Sequence, residues 1–201
     1  MPRPALLCLL ALAACGQSAG DAEPTPGVPA LIAACQSGDY DGALGTLLAA
    51  AEVSPGSPDL AVGLGMCQWS EYDRESDPAL GEAVSDEFSR AASLLRAGRA
   101  SEFVLVDVLR YRAFFQGTLA GADRAGWDRA VQDLDEVVRL DPSVRSYVDR
   151  AAARAMSGDP NGTAADIEEA RALAGDDAED LARIEGATGR PALAAALAER
   201  G

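Results

Sequence analysis

The chain contains no histidine and no lysine, and aromatic residues make up only 5% of it. Histidine is the side chain most often used as a general base near neutral pH, and it is the commonest transition-metal ligand. Its absence excludes catalytic triads and zinc sites built on histidine. The sequence also lacks a glycine-rich phosphate loop, a nucleophile elbow and a CxxC redox motif. We therefore predict that the protein is not an enzyme and has no cofactor and no metal site.

Positive charge is scarce, because 17 basic residues stand against 32 acidic residues and the formal net charge is −15. Nucleic-acid phosphates and anionic lipid headgroups are bound mainly by lysine and arginine. We therefore expect no nucleic-acid partner and no electrostatic attachment to a membrane. A basic protein partner fits this charge better.

Cysteine is rare as well, and two of the four cysteines lie in an N-terminal segment that has the features of an export signal. Residues 1–14 carry one cation and then an apolar run, which is shorter than the roughly 20 residues that a membrane-spanning helix needs. The run ends in Leu-Ala-Ala-Cys-Gly at residues 12–16, and this matches the lipobox of bacterial lipoproteins. We expect cleavage before Cys15 and lipidation of its thiol. The alternative is an ordinary signal peptide in which the cysteine occurs by chance.

The segment after Cys15 predicts a tether. Residues 16–27 show no apolar periodicity and are rich in glycine, proline and alanine, a composition typical of a flexible linker. Residues 15–27 would thus join the lipid to a folded domain at residues 28–201. The motif indicates the periplasmic side of a bacterial envelope. Because Gly16 rather than aspartate follows the cysteine, the sorting rule of enteric bacteria favours the outer membrane.

The most regular pattern of the chain lies at residues 127–142, WDRAVQDLDEVVRLDP. Its apolar residues recur at i, i+3, i+4 and i+7, which predicts a helix with one buried face and one charged face. A segment near the start of the folded region has the same order of an aromatic residue, alanine, leucine and proline. The matched residues are Tyr40, Ala43, Leu47 and Pro55 in one segment and Trp127, Ala130, Leu134 and Pro142 in the other.

This pattern resembles the second helix of the helix-turn-helix unit in the tetratricopeptide repeat (TPR) family. Leu64 and Gly65, in a helix predicted at residues 59–69, match the positions where the family places leucine and glycine. The resemblance implies an all-α, TPR-like solenoid of antiparallel helix pairs. Two short alanine-rich helices, predicted at residues 178–185 and 191–200, would form a C-terminal cap.

The middle of the chain departs from the repeat pattern. Ala43, Ala91 and Ala130 are further apart than one repeat of about 34 residues, so the second repeat is expected to carry insertions. Residues 102–116 are strongly apolar and predict a central helix, and residues 116–126 predict a loop.

The resemblance also implies where a partner binds. In the family, the first helix of each repeat lines a concave groove, and these positions correspond here to Val62, Met66 and Trp69. Arg110 and Arg112 are the polar candidates on the central helix. The alternatives are that Met66 and Trp69 pack in the core and that the arginines form salt bridges with nearby carboxylates.

Cys35 and Cys67 would lie on the first helices of consecutive repeats, which pack together in this family. An oxidising envelope permits a disulfide between them. The alternative is a pair of small buried apolar side chains.

The resemblance and the lipobox together imply an adaptor. We expect a membrane-anchored lipoprotein that binds another protein or a peptide, as in outer-membrane, pilus or secretion assembly. The alternatives are a structural lipoprotein that binds peptidoglycan and, with less support because of the missing catalytic motifs, an enzyme of the envelope.

Overall fold

The computed structural model describes residues 26–121 and 123–199, and every regular element in these ranges is an α-helix. No helix within this part of the chain is long and apolar enough to cross a membrane. The predicted signal peptide, Cys15 and residues 16–25 of the predicted tether lie outside the described residues. The helices are α1 (Val28–Ser37), α2 (Tyr40–Val53), α3 (Pro58–Glu75), α4 (Pro78–Arg96), α5 (Leu105–Ala120), α6 (Arg124–Leu140), α7 (Val144–Ser157), α8 (Pro160–Ala174), α9 (Ala178–Thr188) and α10 (Pro191–Ala198).

The helices pack as antiparallel pairs, because a short connection joins the two helices of each pair. The pairs are α1–α2, α3–α4, α5–α6, α7–α8 and α9–α10. Each pair packs on the one before it: α3 on α1 and α2, α5 on α4, and α7 on α6. Helices α9 and α10 pack on α7 and α8 and cover the end of the stack. The predicted all-α arrangement of helix pairs with a short helical cap is confirmed.

The helix boundaries follow from capping residues in the sequence. Ser57 accepts a hydrogen bond from the Leu60 amide at the start of α3, and Asp77 accepts one from the Ala79 amide at the start of α4. Each cap is followed by a proline at the first helical turn, where a missing N–H costs nothing. Gly38 ends α1 in the left-handed conformation, with φ at 103°.

The second pair contains the extra length that the repeat spacing indicates. Helix α3 continues to Glu75 rather than ending near residue 69, and α4 extends to Arg96. The connection to α5 is also long and is held by Asp59, whose carboxylate accepts hydrogen bonds from the Ser101 hydroxyl and from the Glu102 amide. This contact keeps residues 102–104 out of the helix that was predicted to begin there.

The loop predicted at residues 116–126 is mostly helical. Helix α5 runs to Ala120 and α6 begins at Arg124, so the connection is short. The prediction took Gly117 as a loop residue, but this glycine lies inside α5 against the Trp127 ring. A Cβ at Gly117 would clash with that ring, so the glycine serves the close packing of α5 and α6.

The core consists of apolar clusters that follow one another along the stack. Its central part joins α3 to α7, a second part joins α1 to α3, and a third joins α7 to α10. An aromatic cluster lies where α3, α4 and α5 meet. Its rings are Trp69, Tyr72, Phe88, Tyr111 and Phe115.

Candidate functional site

The two arginines predicted for the groove are instead engaged inside the protein. Arg110 is 5% exposed and donates hydrogen bonds to Asp141 at 2.9 Å and to Ser146 at 2.7 Å. Arg112 donates two hydrogen bonds to Asp133, at 2.7 and 2.5 Å, between α5 and α6. Arg110 is too deeply buried to line a groove, and both guanidinium groups form the salt bridges with carboxylates that were the alternative interpretation.

The three groove positions predicted on α3 differ in exposure. Val62 is fully buried in the central core, so its assignment to the groove is wrong as well. Trp69 is half-buried, with its ring in edge contact with Phe115 and Phe88 at centroid distances of 5.2 and 6.2 Å. Met66 is half-buried against the same aromatic cluster. Both residues also line an open hollow of about 450 Å³, so they combine a packing role with a surface position.

The structure brings Cys35 of α1 and Cys67 of α3 together in a disulfide, with their Cα atoms 5.3 Å apart. Both side chains are buried in the apolar cluster at the N-terminal end of the stack. Cys35 borders the hollow that Met66 and Trp69 line. The disulfide fixes one wall of this hollow to the other.

A second concave site lies toward the C-terminal end of the stack, and we call it the α7 hollow. It has two adjoining chambers of about 220 and 230 Å³, which share Phe114, Asp149, Ala152 and Arg190. Its walls come from α5, α7 and α9, the first helices of three successive pairs, and also from α6 and the start of α10. The larger apolar residues of its first chamber are Phe114, Trp127, Leu134, Met156 and Leu193.

Asp149 lies at the junction of the two chambers and is surrounded by cations. Its Oδ2 is 3.5 Å from Arg110 Nε and 3.8 Å from Arg145 Nε. The geometry of the first contact does not make a hydrogen bond, so among the described residues both buried atoms lack a hydrogen-bond partner. Arg183 and Arg190 also act on this carboxylate through their charge. A buried carboxylate oxygen without a hydrogen bond is costly to stability, and such arrangements are concentrated at functional sites.

Burial raises the pKa of the Asp149 carboxyl, and the nearby arginines offset only part of this rise. The stability that this group contributes is therefore fully present below its unfolded pKa of about 3.9 and is lost as the pH rises through the folded value. Asp141, on the other side of Arg110, behaves in the opposite way. The hydrogen bond from Arg110 lowers the pKa of Asp141, so its stabilising contribution is present at neutral pH and is lost only as the pH falls through its lowered folded value.

The pKa shifts of Asp149 and Asp141 have opposite signs, so replacing each aspartate with asparagine should have opposite effects on stability. Asp149→Asn is expected to raise the melting temperature at neutral pH, and this gain should shrink as the pH falls to about 4. Asp141→Asn is the matched control and is expected to lower the melting temperature, with the loss persisting at about pH 4 because its carboxylate is still ionised. Thermal unfolding monitored by circular dichroism over this pH range measures both. Two variants with the same sign and the same pH response would contradict the assignment.

The α7 hollow was not predicted from the sequence, although one signal was present. Gly65 on α3 faces Phe88 of α4, and the small residue Ala151 on α7 likewise faces α8. Val62 lies three residues before Gly65, and Met66 lies one residue after it. The same positions relative to Ala151 are Val148 and Ala152, and both of these residues line the hollow. The contribution of α10 has no such signal, since no repeat position describes a capping helix.

In the part of the chain that the structure describes, no group of three or more acidic or cysteine side chains could hold a metal ion.

No protein-family model matches the chain, and no curated protein matches it. Among solved structures, a thermophilic TPR protein from Thermus thermophilus is similar, with a TM-score of 0.58 and 15% sequence identity over 80% of each chain. At this identity the likeness shows the fold alone. The chain therefore has a TPR-like helical-repeat fold, and the predicted fold class is confirmed.

Proposed function

We propose that the protein is an adaptor that binds a segment of another protein on the concave surface formed by the first helices of its pairs, while a lipid on Cys15 holds it at the bacterial envelope. The outer membrane is the favoured location. The TPR-like fold is typically a scaffold for protein interaction, and we propose no catalytic role.

The observation that supports the adaptor most directly is the α7 hollow. It joins an apolar chamber to a polar one, and concave sites of this composition are where proteins bind ligands. Phe114 at their junction is 40% exposed, so part of a large apolar ring is open to solvent in the hollow. A partner side chain that covers Phe114 would remove this apolar surface from water.

Site-specific photo-crosslinking in the native cell tests the adaptor. A photoreactive amino acid at Phe114 is expected to trap a defined partner protein. The same group at Val53 is the control, because Val53 is 84% exposed on α2 and lines neither chamber of the hollow. If both positions gave the same set of proteins, or if neither gave a defined product, the adaptor proposal would be contradicted.

The proposed anchor rests on the lipobox at residues 12–16. Acyl chains contribute about 0.8 kcal/mol for each CH₂ that enters the bilayer, so a diacylglyceryl group with a further acyl chain would hold the protein stably. Cys15→Ala is expected to move the protein from the membrane fraction to the soluble envelope fraction. Cys8→Ala is the matched control and should leave it with the membranes. Retention of the Cys15→Ala protein in the membrane fraction would refute the anchor.

A further inference from the structure

The rim of the α7 hollow is positively charged on a chain whose net charge is strongly negative. Arg145, Arg183 and Arg190 line its polar chamber, and Asp149 is the carboxylate among the residues that line it. Asp149 is also approached from behind by the buried Arg110. Among the residues that line this chamber there are thus three cations and one carboxylate, the reverse of the balance over the whole chain.

The apolar chamber beside this rim is large enough for one side chain. Its volume is about 220 Å³, and an apolar cavity of about 150 Å³ already accommodates benzene. Phe114, Trp127 and Leu134 form part of its wall. Since the two chambers share Phe114 and Asp149, a group that fills the apolar chamber lies next to the arginines.

We propose that the α7 hollow binds an acidic segment of a partner protein, with one apolar side chain in the apolar chamber and neighbouring carboxylates paired with Arg145, Arg183 and Arg190. This inference rests on the proposed adaptor function and specifies its partner. It replaces the basic partner that the net charge indicates, because a net charge is an average over the surface and a binding site responds to the charges near it.

The arginines are free to exchange their present contacts for those of a partner. The Arg145 side chain is 55% exposed and Arg183 is 41% exposed. Arg183 contacts Glu179 at 3.3 Å and Asp180 at 3.8 Å, within one helix. Exposed pairs of this kind contribute little, whereas a guanidinium can bind a carboxylate through two parallel hydrogen bonds. A carboxylate that is partly buried by the partner would therefore compete with them.

Selection of binding peptides tests the proposal on the purified full chain. The probe is a random library of short peptides displayed between flanking sequences, so that no terminal carboxylate is present. Peptides that bind are expected to be enriched in aspartate or glutamate beside leucine, isoleucine, methionine or phenylalanine. Their affinity is then measured by fluorescence polarisation for synthetic copies with free and with amidated C-termini, which separates side-chain carboxylates from a terminal one.

Charge reversal supplies the decisive comparison. Arg183→Glu with Arg190→Glu is expected to weaken binding of the selected peptides by at least about tenfold. Asp149→Asn is expected to strengthen peptide binding, because the peptide carboxylates then no longer compete with the Asp149 carboxylate for the arginines. Arg74→Glu with Arg139→Glu is the control for the same change in net charge, since these side chains are 60% and 68% exposed and neither lines the α7 hollow. Helical circular dichroism of each variant verifies the fold.

Three outcomes would overturn the proposal. One is a peptide selection that enriches basic or uncharged peptides, or that enriches no peptide. Another is binding that the double arginine reversal leaves within about twofold of the parent, the precision expected of such a comparison. The third is a dimer of the free protein that the same reversal dissociates in analytical ultracentrifugation, which would assign the hollow to a second copy of the chain.

Failure of this inference differs from failure of the adaptor proposal. If the crosslink from Phe114 traps a defined partner but the peptide selection or the reversal gives the wrong result, the adaptor stands and the acidic segment is refuted. If Phe114 traps nothing and no peptide binds, both are refuted.

Discussion

Replacing Asp166 with alanine is expected to lower the free energy of unfolding by about 3–5 kcal/mol. The Asp166 side chain is 2% exposed and pairs with Arg150 at 2.6 Å and with Arg154 at 3.1 Å, so it joins α8 to α7. Removing it leaves two largely buried guanidinium groups without their buried counter-charge. A domain has only about 5–15 kcal/mol of stability in total, so the variant should be close to unfolding. Urea unfolding followed by circular dichroism measures the loss.

Asp135→Ala is the matched control for Asp166→Ala, since Asp135 contacts the same two arginines from α6. Its side chain is 50% exposed, and exposed ion pairs are worth about 0–1 kcal/mol. The two aspartates therefore separate the effect of burial from that of charge pairing. Equal losses in the two variants would show that burial does not determine the strength of this network.

Leu134→Ala is expected to cost about 2–5 kcal/mol, because the deleted methyl groups leave a cavity in a packed core. Leu134 is 1% exposed and belongs to the central cluster with Val108, Leu109 and Ala113 of α5. Loss of this contact weakens the packing of α6 on α5 in the middle of the stack. Because repeat arrays can unfold in parts, the variant should be followed by both circular dichroism and tryptophan fluorescence.

Leu140→Ala on the same helix is the control for Leu134→Ala. Leu140 is 41% exposed at the end of α6, so its truncation removes little buried surface and should cost less than about 1 kcal/mol. A Leu134→Ala protein that melted within a degree or two of the parent would show that Leu134 is not in the core and that the assigned repeat register is wrong.

The pattern of apolar residues was sufficient to predict the helix pairs, because each helix buries one face and the caps lie in the sequence. Helix α2 contains the matched residues Tyr40, Ala43 and Leu47, and Gly38 and Pro55 bracket it. The prediction failed where a tertiary contact changes the role of a residue. Gly117 has the composition of a loop but accommodates a tryptophan ring, and Asp59 holds the start of α5 from another pair.

The candidate site was harder to predict, because exposure depends on the neighbouring pairs. Val62 and Val148 occupy comparable places on their helices, yet only Val148 lines a hollow. The difference arises where α5 and α7 stand apart and α10 approaches, which no local pattern encodes. Arg110 and Arg112 were polar residues on a central helix, and their carboxylate partners on other elements could be found only from the fold.

The disulfide between Cys35 and Cys67 has a mechanical consequence if Cys15 is attached to a membrane. A pull on the N-terminus enters α1 at Val28, reaches Cys35 and crosses directly to α3, so that the 32-residue span between the cysteines bears no tension. Fully extended, that span would otherwise release roughly 100 Å of chain. Under such a pull, the distance from Val28 to the concave surface would stay nearly constant while a partner is held.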